Sequence, residues 1–136
     1  MEKYEFIEHI ADVTFKAYGR DLNELFENAA EALEDTMVLL DEVAPGETLT
    51  IEMSSDSYEN LLYDWLSELL ITFEVERFAV KKCSVSIGGL SLTAACLGER
   101  VDLNRHRVNA EVKAVTYHNL AVKKNDLYHA EVTLDV

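Results

Sequence analysis

The stretch VTFKAYGRDLNELFENAAEAL, residues 13–33, decides the fold because it joins a strand pattern directly to a helix pattern. Apolar and polar residues alternate over residues 13–17, which indicates a strand with one buried face. Asp21, followed three residues later by Glu24, is typical of a helix N-terminus. Apolar residues then recur at helical spacing and predict an amphipathic helix over about residues 21–40.

The same order of patterns returns after the turn at Pro45-Gly46. Apolar and polar residues alternate again over residues 49–53, which predicts a second strand. Asp56 and Glu59 repeat the capping pattern. The apolar spacing that follows predicts a second helix over about residues 57–75.

The only two cysteines of the chain flank a predicted hairpin. A two-residue turn at Gly88-Gly89 would place Cys83 opposite Ala94. Cys96 would then be a diagonal neighbour of Cys83 on the same face. We therefore expect two free thiols, with a disulfide as the less favoured alternative.

The remainder of the chain contains one polar segment and one further hairpin. Residues 98–108 are rich in charged side chains and predict a long loop, which in compact domains is often functional. Residues 120–122 and 128–134 pair across a turn at 124–126. Together the patterns predict a single α+β domain over residues 1–136, with a mixed β-sheet and two amphipathic helices packed on it.

The composition favours some classes of partner over others. The formal charge is −14, from 26 acidic and 12 basic residues. Because nucleic-acid binding depends largely on neutralising phosphates, such a chain is a poor direct ligand for RNA or DNA. A cation or a basic protein fits better. No apolar run reaches the ~18 residues of a membrane span and no signal-peptide core is present, so we expect a cytoplasmic protein.

Acidic residues near the two ends of the chain are the first candidate site. His9 and Asp12 lie just before the first clear strand, and Asp135 lies on the polar side of the last strand. Val136 then offers a backbone carbonyl or the α-carboxylate. If Asp12 and Asp135 meet in the fold, their oxygens would favour a divalent cation such as calcium or magnesium. The alternatives are a capped turn and a solvated edge strand.

Lys113 and His118 form the second candidate, in the stretch EVKAVTYH that follows the polar segment. Lys113 could bind a phosphate or pair with an acidic site, and His118 could titrate near neutral pH. An ordinary surface strand is the alternative. The chain lacks the GxxxxGK[ST], GxGxxG, GxSxG and HExxH motifs and any complete nucleophile–base set, so its residues do not support enzymatic chemistry.

These stretches together resemble the archease family, in the same order and over essentially the whole chain. The resemblance is carried by YEFIEHIAD at 4–12, LFENAA at 25–30, LLYDWLSELL at 61–70, EVKAVTYH at 111–118 and LDV at 134–136. It implies the α+β archease fold.

The resemblance also implies a function: a protein cofactor, without catalysis of its own, for an RtcB-type tRNA-splicing RNA ligase. Such ligases form a guanylate adduct and join RNA ends with GTP and a divalent metal, and the cofactor promotes guanylylation and multiple turnover. By resemblance the metal site falls on Asp12, Asp135 and Val136, with calcium expected and magnesium or manganese as alternatives. Lys113 matches a residue needed for activation, with His9 as a site neighbour. His118, which the resemblance does not assign, is a second candidate neighbour of the site.

Two other classes of function stay open on the sequence. The first is a small metal-dependent hydrolase, with Asp12, Asp135 and His118 as metal ligands or base. The second is a chaperone-like scaffold whose acidic face binds several RNA-processing proteins. In the ligase-cofactor interpretation, RNA is contacted only indirectly, through the ligase.

Overall fold

The computed structural model describes residues 1–7 and 12–136. These described residues form two helices, eight strands and a short 3-10 helix. In chain order they are β1 (Tyr4–Ile7), β2 (Val13–Gly19), α1 (Leu22–Met37), the 3-10 helix (Leu40–Glu42), β3 (Glu47–Ser54), α2 (Tyr58–Glu76), β4 (Phe78–Gly88), β5 (Ser91–Arg100), β6 (Ala114–Val115), β7 (Val122–Lys124) and β8 (Tyr128–Asp135). Neither α1 nor α2 is long and apolar enough to cross a membrane.

The strands form two antiparallel sheets. One has the order β1-β2-β8-β6. Strand β7 also pairs with β8, on the same side of β8 as β6. The other has the order β3-β5-β4. Both helices contribute to one core, and the indole of Trp65 in α2 donates a hydrogen bond of 3.0 Å to the carbonyl of Phe26 in α1. The predicted α+β class with two packed helices is confirmed.

The helix N-termini agree with the sequence patterns to within about one residue. The Asp21 carboxylate accepts a 2.8 Å hydrogen bond from the Glu24 amide, so the first predicted cap is confirmed. The second cap is Ser57, whose hydroxyl accepts from the Asn60 amide at 3.0 Å. Asp56, the predicted cap, instead accepts from the Asn60 side chain at 2.6 Å.

The register of the β4–β5 hairpin differs from the prediction. The two-residue turn is Gly89-Leu90 rather than Gly88-Gly89, and its first residue has a φ of 60°, which favours glycine. Cys83 therefore lies directly opposite Cys96, not Ala94. The thiols are free, as expected. The hydrogen bond with Cys96, and then burial, raise the pKa of Cys83.

The polar segment predicted as a loop over residues 98–108 begins later than expected. Strand β5 continues to Arg100, so its irregular part starts at residue 101. Just after this segment, the backbone amides of Asn109 and Ala110 donate to the carbonyls of Met37 and Thr36, at 2.8 and 3.1 Å. These carbonyls belong to the last turn of α1, where intrahelical donors run out. The residues that follow the segment thus cap α1, and within it the Arg107 carbonyl accepts a 2.8 Å hydrogen bond from the Leu39 amide, so the end of the segment is held against the domain.

Helix α1 takes the place of a fourth strand along the outer edge of β4. Three side chains of α1 accept hydrogen bonds of 2.8–2.9 Å from β4 amides: Asn23 from Ile87, Glu27 from Val85 and Glu34 from Val80. Glu34 is completely buried, and burial raises the pKa of its carboxyl well above the usual value. One edge of the three-stranded sheet is therefore satisfied by carboxylate and amide side chains.

Gly98 gives a direct test of how closely β5 and β4 approach. A Cβ built on Gly98 would overlap the carbonyl oxygen of Ala79, whereas a Cβ on Gly88 would meet open space. Gly98→Ala should lower the free energy of unfolding by about 1–3 kcal/mol or more, because backbone must move to admit the methyl group. Urea denaturation of Gly98→Ala beside Gly88→Ala measures the effect. Equal stability of the two variants would contradict the described packing.

Candidate functional site

The pairing of β2 with β8 brings the two candidate aspartates to one end of the five-stranded sheet. Val13 lies opposite Leu134 in this antiparallel pair. Asp12 directly precedes Val13, and Asp135 directly follows Leu134. Both aspartate side chains are exposed. Residues near the two termini of the described chain therefore share one end of one sheet.

Strand β6 adds the candidate lysine to the same end. Ala114 lies opposite Asp135, and the Lys113 amide donates a 2.7 Å hydrogen bond to the Asp135 carbonyl. The Lys113 side chain is exposed. Backbone pairing thus places Asp12, Asp135 and Lys113 at the same end of the sheet. We refer to these three residues, with Val136, as the sheet-end cluster.

The donor atoms of the sheet-end cluster suit a hard divalent cation. Two carboxylates and the main-chain oxygen of Val136 are oxygen ligands, which calcium and magnesium prefer. The Asp135 carbonyl is already occupied by the Lys113 amide. Over residues 1–7 and 12–136, no three His, Cys, Asp or Glu side chains are arranged to hold a metal. Because calcium takes 6–8 ligands, most positions would fall to water or to groups of a partner.

The two candidate histidines are placed differently. His9 lies outside the described residues. His118 is exposed and follows β6, which leads away from Asp135, since the Thr116 amide donates to the Thr133 carbonyl at 3.1 Å. The strand register therefore does not carry His118 toward the aspartates. Its assignment as a site neighbour stays a prediction.

Two stacked tyrosines next to β6 were not found from the sequence. The rings of Tyr63 in α2 and Tyr117 lie 4.0 Å apart at an angle of 11°. Burial against α2, and then the charge of Asp64, raise the pKa of Tyr117. The stack fixes the segment after β6 to α2. Two tyrosines so far apart in the chain give no local signal of such a contact.

Glu99 anchors the polar segment and carries a strongly perturbed carboxylate. It accepts hydrogen bonds from the Ala44 amide at 2.7 Å, from Arg105 and from the His106 ring at 2.9 Å. The other ring nitrogen of His106 accepts from the Asp102 amide at 2.8 Å, so the Nε2 of the buried ring is the nitrogen that donates to Glu99. These three hydrogen bonds lower the pKa of Glu99 to about 2, and the bond from the Ala44 amide has the largest effect.

Comparison with known proteins places this architecture in a family. Residues 4–136 match the sequence model of the Archease protein family (MTH1598/TM1083). The chain belongs to the archease family. A protein archease of Methanothermobacter thermautotrophicus is 40% identical over 141 residues and the match covers 100% of both chains. One of Sulfurisphaera tokodaii is 39% identical, over 95% of this chain and 94% of the other.

Solved archease-family structures share the fold. The solution structure of Methanobacterium thermoautotrophicum protein 1598 superposes with a TM-score of 0.83, at 34% identity, over 100% of both chains. A crystal structure from Thermotoga maritima, described as an archease and possible chaperone, gives a TM-score of 0.70 at 21% identity. It covers 96% of this chain and 94% of the other. At that identity the second likeness concerns the fold alone.

The Glu99 anchor predicts how stability depends on pH. The folded pKa of about 2 lies below the ordinary value of 4.5, so its stabilisation is complete above pH 4.5 and is lost as the pH falls toward 2. Glu99→Gln should therefore destabilise the protein near neutral pH, and the difference from wild type should shrink between pH 5 and pH 2. Urea unfolding across this range measures it, with the exposed Glu47→Gln as control. A difference independent of pH would contradict the assignment.

Proposed function

We propose that this archease-family chain is a non-catalytic activator of an RtcB-type tRNA-splicing RNA ligase. In this proposal it promotes guanylylation of the ligase and repeated turnover in tRNA splicing and RNA repair. The supporting observation is that the register of β2, β8 and β6 gathers Asp12, Asp135 and Lys113 at one exposed sheet end. These residues match the family positions that the sequence resemblance assigns to metal binding and activation.

A divalent cation is part of the proposal. Asp12, Asp135 and a main-chain oxygen of Val136 would hold it, with calcium expected and magnesium or manganese as alternatives. When bound, the ion supplies positive charge and exchangeable coordination positions that attract phosphate or carboxylate oxygens. The exposure of both aspartates leaves room for such groups from a partner.

Lys113 is proposed to contact the partner directly. Its amide donates to the Asp135 carbonyl, so the Lys113 backbone is held next to Asp135. The exposed ammonium can donate to a guanylate phosphate or pair with a ligase carboxylate. The aspartates and the lysine would then act on the same small region of the ligase.

The charge of the chain supports a protein partner over a nucleic acid. At −14, the surface steers basic protein faces toward it and repels phosphate backbones. In this proposal RNA is reached only through the ligase, and the encounter takes place in the cytoplasm. Association should weaken as ionic strength rises, because salt screens charges beyond about 10 Å at 0.1 M.

Ligase turnover tests the proposal. Substoichiometric wild-type protein should support many rounds of RNA joining per ligase molecule. A gel assay measures the joined RNA, and the amount of guanylylated ligase is counted beside it. Asp135→Ala and Lys113→Ala should each reduce turnover by roughly tenfold or more, since losing a charged contact is worth about 1.5–3 kcal/mol. Asp126→Ala is the matched control, an exposed aspartate just before the opposite end of β8.

The outcomes separate the rival functions. Wild-type stimulation by Asp135→Ala would rule out the cation-site mechanism. Hydrolysis of phosphate esters by the purified protein alone, lost in Asp135→Ala, would favour the metal-dependent hydrolase. Equal binding of many unrelated RNA-processing proteins, unaffected by Lys113→Ala, would favour a chaperone-like scaffold.

A further inference from the structure

We infer that the free edge of β3, with the groove between β3 and α2, binds an extended basic segment of a partner protein. The segment would add to the three-stranded sheet as a fourth strand and place alternate side chains in the groove. This surface shares no residue with the sheet-end cluster, and the inference stands apart from the proposed ligase role.

The two edges of the three-stranded sheet differ in whether their backbone groups have hydrogen-bond partners. The β4 edge is covered by the α1 side chains Asn23, Glu27 and Glu34, which accept its amide hydrogens. Strand β3 pairs with β5 on one side only, over eight residue pairs from Glu47 to Ser54. In the part of the chain that the structure describes, no strand and no side chain hydrogen-bonds to its other side. Unpaired strand edges of this length are templates for an added strand.

A groove lies beside this open edge. Residues 49–53 of β3 form one wall, and the α2 face that includes Ile71 and Val75 forms the other. The groove has a volume of about 470 Å³. Ile71 is 52% exposed and Val75 is 75% exposed. An added strand would place every second side chain over these two residues, because strand side chains alternate between faces.

The charges around the groove identify the occupant. Glu52, Glu68 and Glu76 line it, and none of the described residues that line it is basic. A segment that alternates lysine or arginine with apolar residues would pair its charges with the glutamates and place its apolar side chains against Ile71 and Val75. A second copy of this chain carries the same glutamates and a charge of −14, so like charges oppose pairing of two β3 edges. Glutamates on an edge strand thus select against self-association while leaving the edge open to a basic partner.

The experiment is an NMR titration of the full-length protein with two peptides. The first is an acetylated and amidated octapeptide of alternating lysine and valine. The second has the same sequence and charge but carries N-methyl groups on the backbone nitrogens meant to donate to β3. The first peptide should shift the amide signals of Glu47–Ser54 and of the α2 face that contains Ile71 and Val75. The methylated peptide should bind at least tenfold more weakly, since it lacks the strand donors.

A surface variant separates docking from general charge attraction. Val75→Lys should weaken binding of the octapeptide by roughly tenfold, because it removes an apolar contact and adds a positive charge that repels the lysines of the peptide. Glu74→Gln changes the net charge by the same amount at a neighbouring exposed position that does not line the groove, and should bind nearly as wild type.

Three results would overturn the inference. The first is equal binding of the methylated and unmethylated peptides, which would mean attraction by charge alone. The second is signal changes confined to other surfaces, such as the sheet end at Asp12 and Asp135. The third is concentration-dependent dimerisation in sedimentation that Val75→Lys abolishes, which would make a second copy the occupant.

Discussion

The pairing of β2 with β8 is the contact on which the rest of the fold depends. Seven residue pairs run from Val13–Leu134 to Gly19–Tyr128. The hydroxyls of Thr14 and Thr133, both buried, share a 3.1 Å hydrogen bond across it. A slip of one residue would separate the two hydroxyls and turn the core side chains of the slipped strand to the opposite face. The register is therefore fixed by a buried polar pair as well as by apolar packing.

Every other part of the five-stranded sheet is attached to this pair. Strand β1 adds to β2, while β6 and β7 add to opposite ends of β8. Helix α1 follows β2 directly, packs against it and reaches across to cover the edge of β4. The same register that orders the core thus sets where Asp12, Asp135 and Lys113 lie, so the candidate site is a consequence of strand pairing and needs no specialised loop.

Local patterns in the sequence predicted the parts of the fold that depend on neighbouring residues. The α1 cap at Asp21 and the helical faces follow from spacing, and the structure confirms them. The predicted hairpin register was wrong because two adjacent glycines offer two turns, and the pairing of Gly88 with Ser91 across Gly89-Leu90 is not specified by the local sequence. The covering of β4 by Glu27 and Glu34 could not be predicted, since these glutamates have the spacing of an ordinary solvated face.

The candidate site likewise has a part that local sequence predicts and a part that depends on long-range strand pairing. The sequence identified Asp12 and Asp135 as oxygen donors that would bind a cation if they met, but only long-range pairing could bring them together. Lys113 was assigned by family resemblance, and its backbone bond to Asp135 supplies a physical reason for its position. The Glu99–His106 anchor shows that part of the polar segment serves structure, because the Glu99 carboxylate accepts hydrogen bonds from both the Ala44 amide and the His106 ring.

A manganese titration followed by amide NMR tests the central claim, that strand register builds a cation site from the two ends of the chain. Manganese occupies oxygen-ligand sites and broadens the signals of nearby amides. If the register builds this site, early broadening should be confined to residues 12–14, 113–115 and 134–136, be reversed by calcium and be lost in Asp135→Asn. Broadening that begins elsewhere on the acidic surface, with these three segments unaffected, would contradict it.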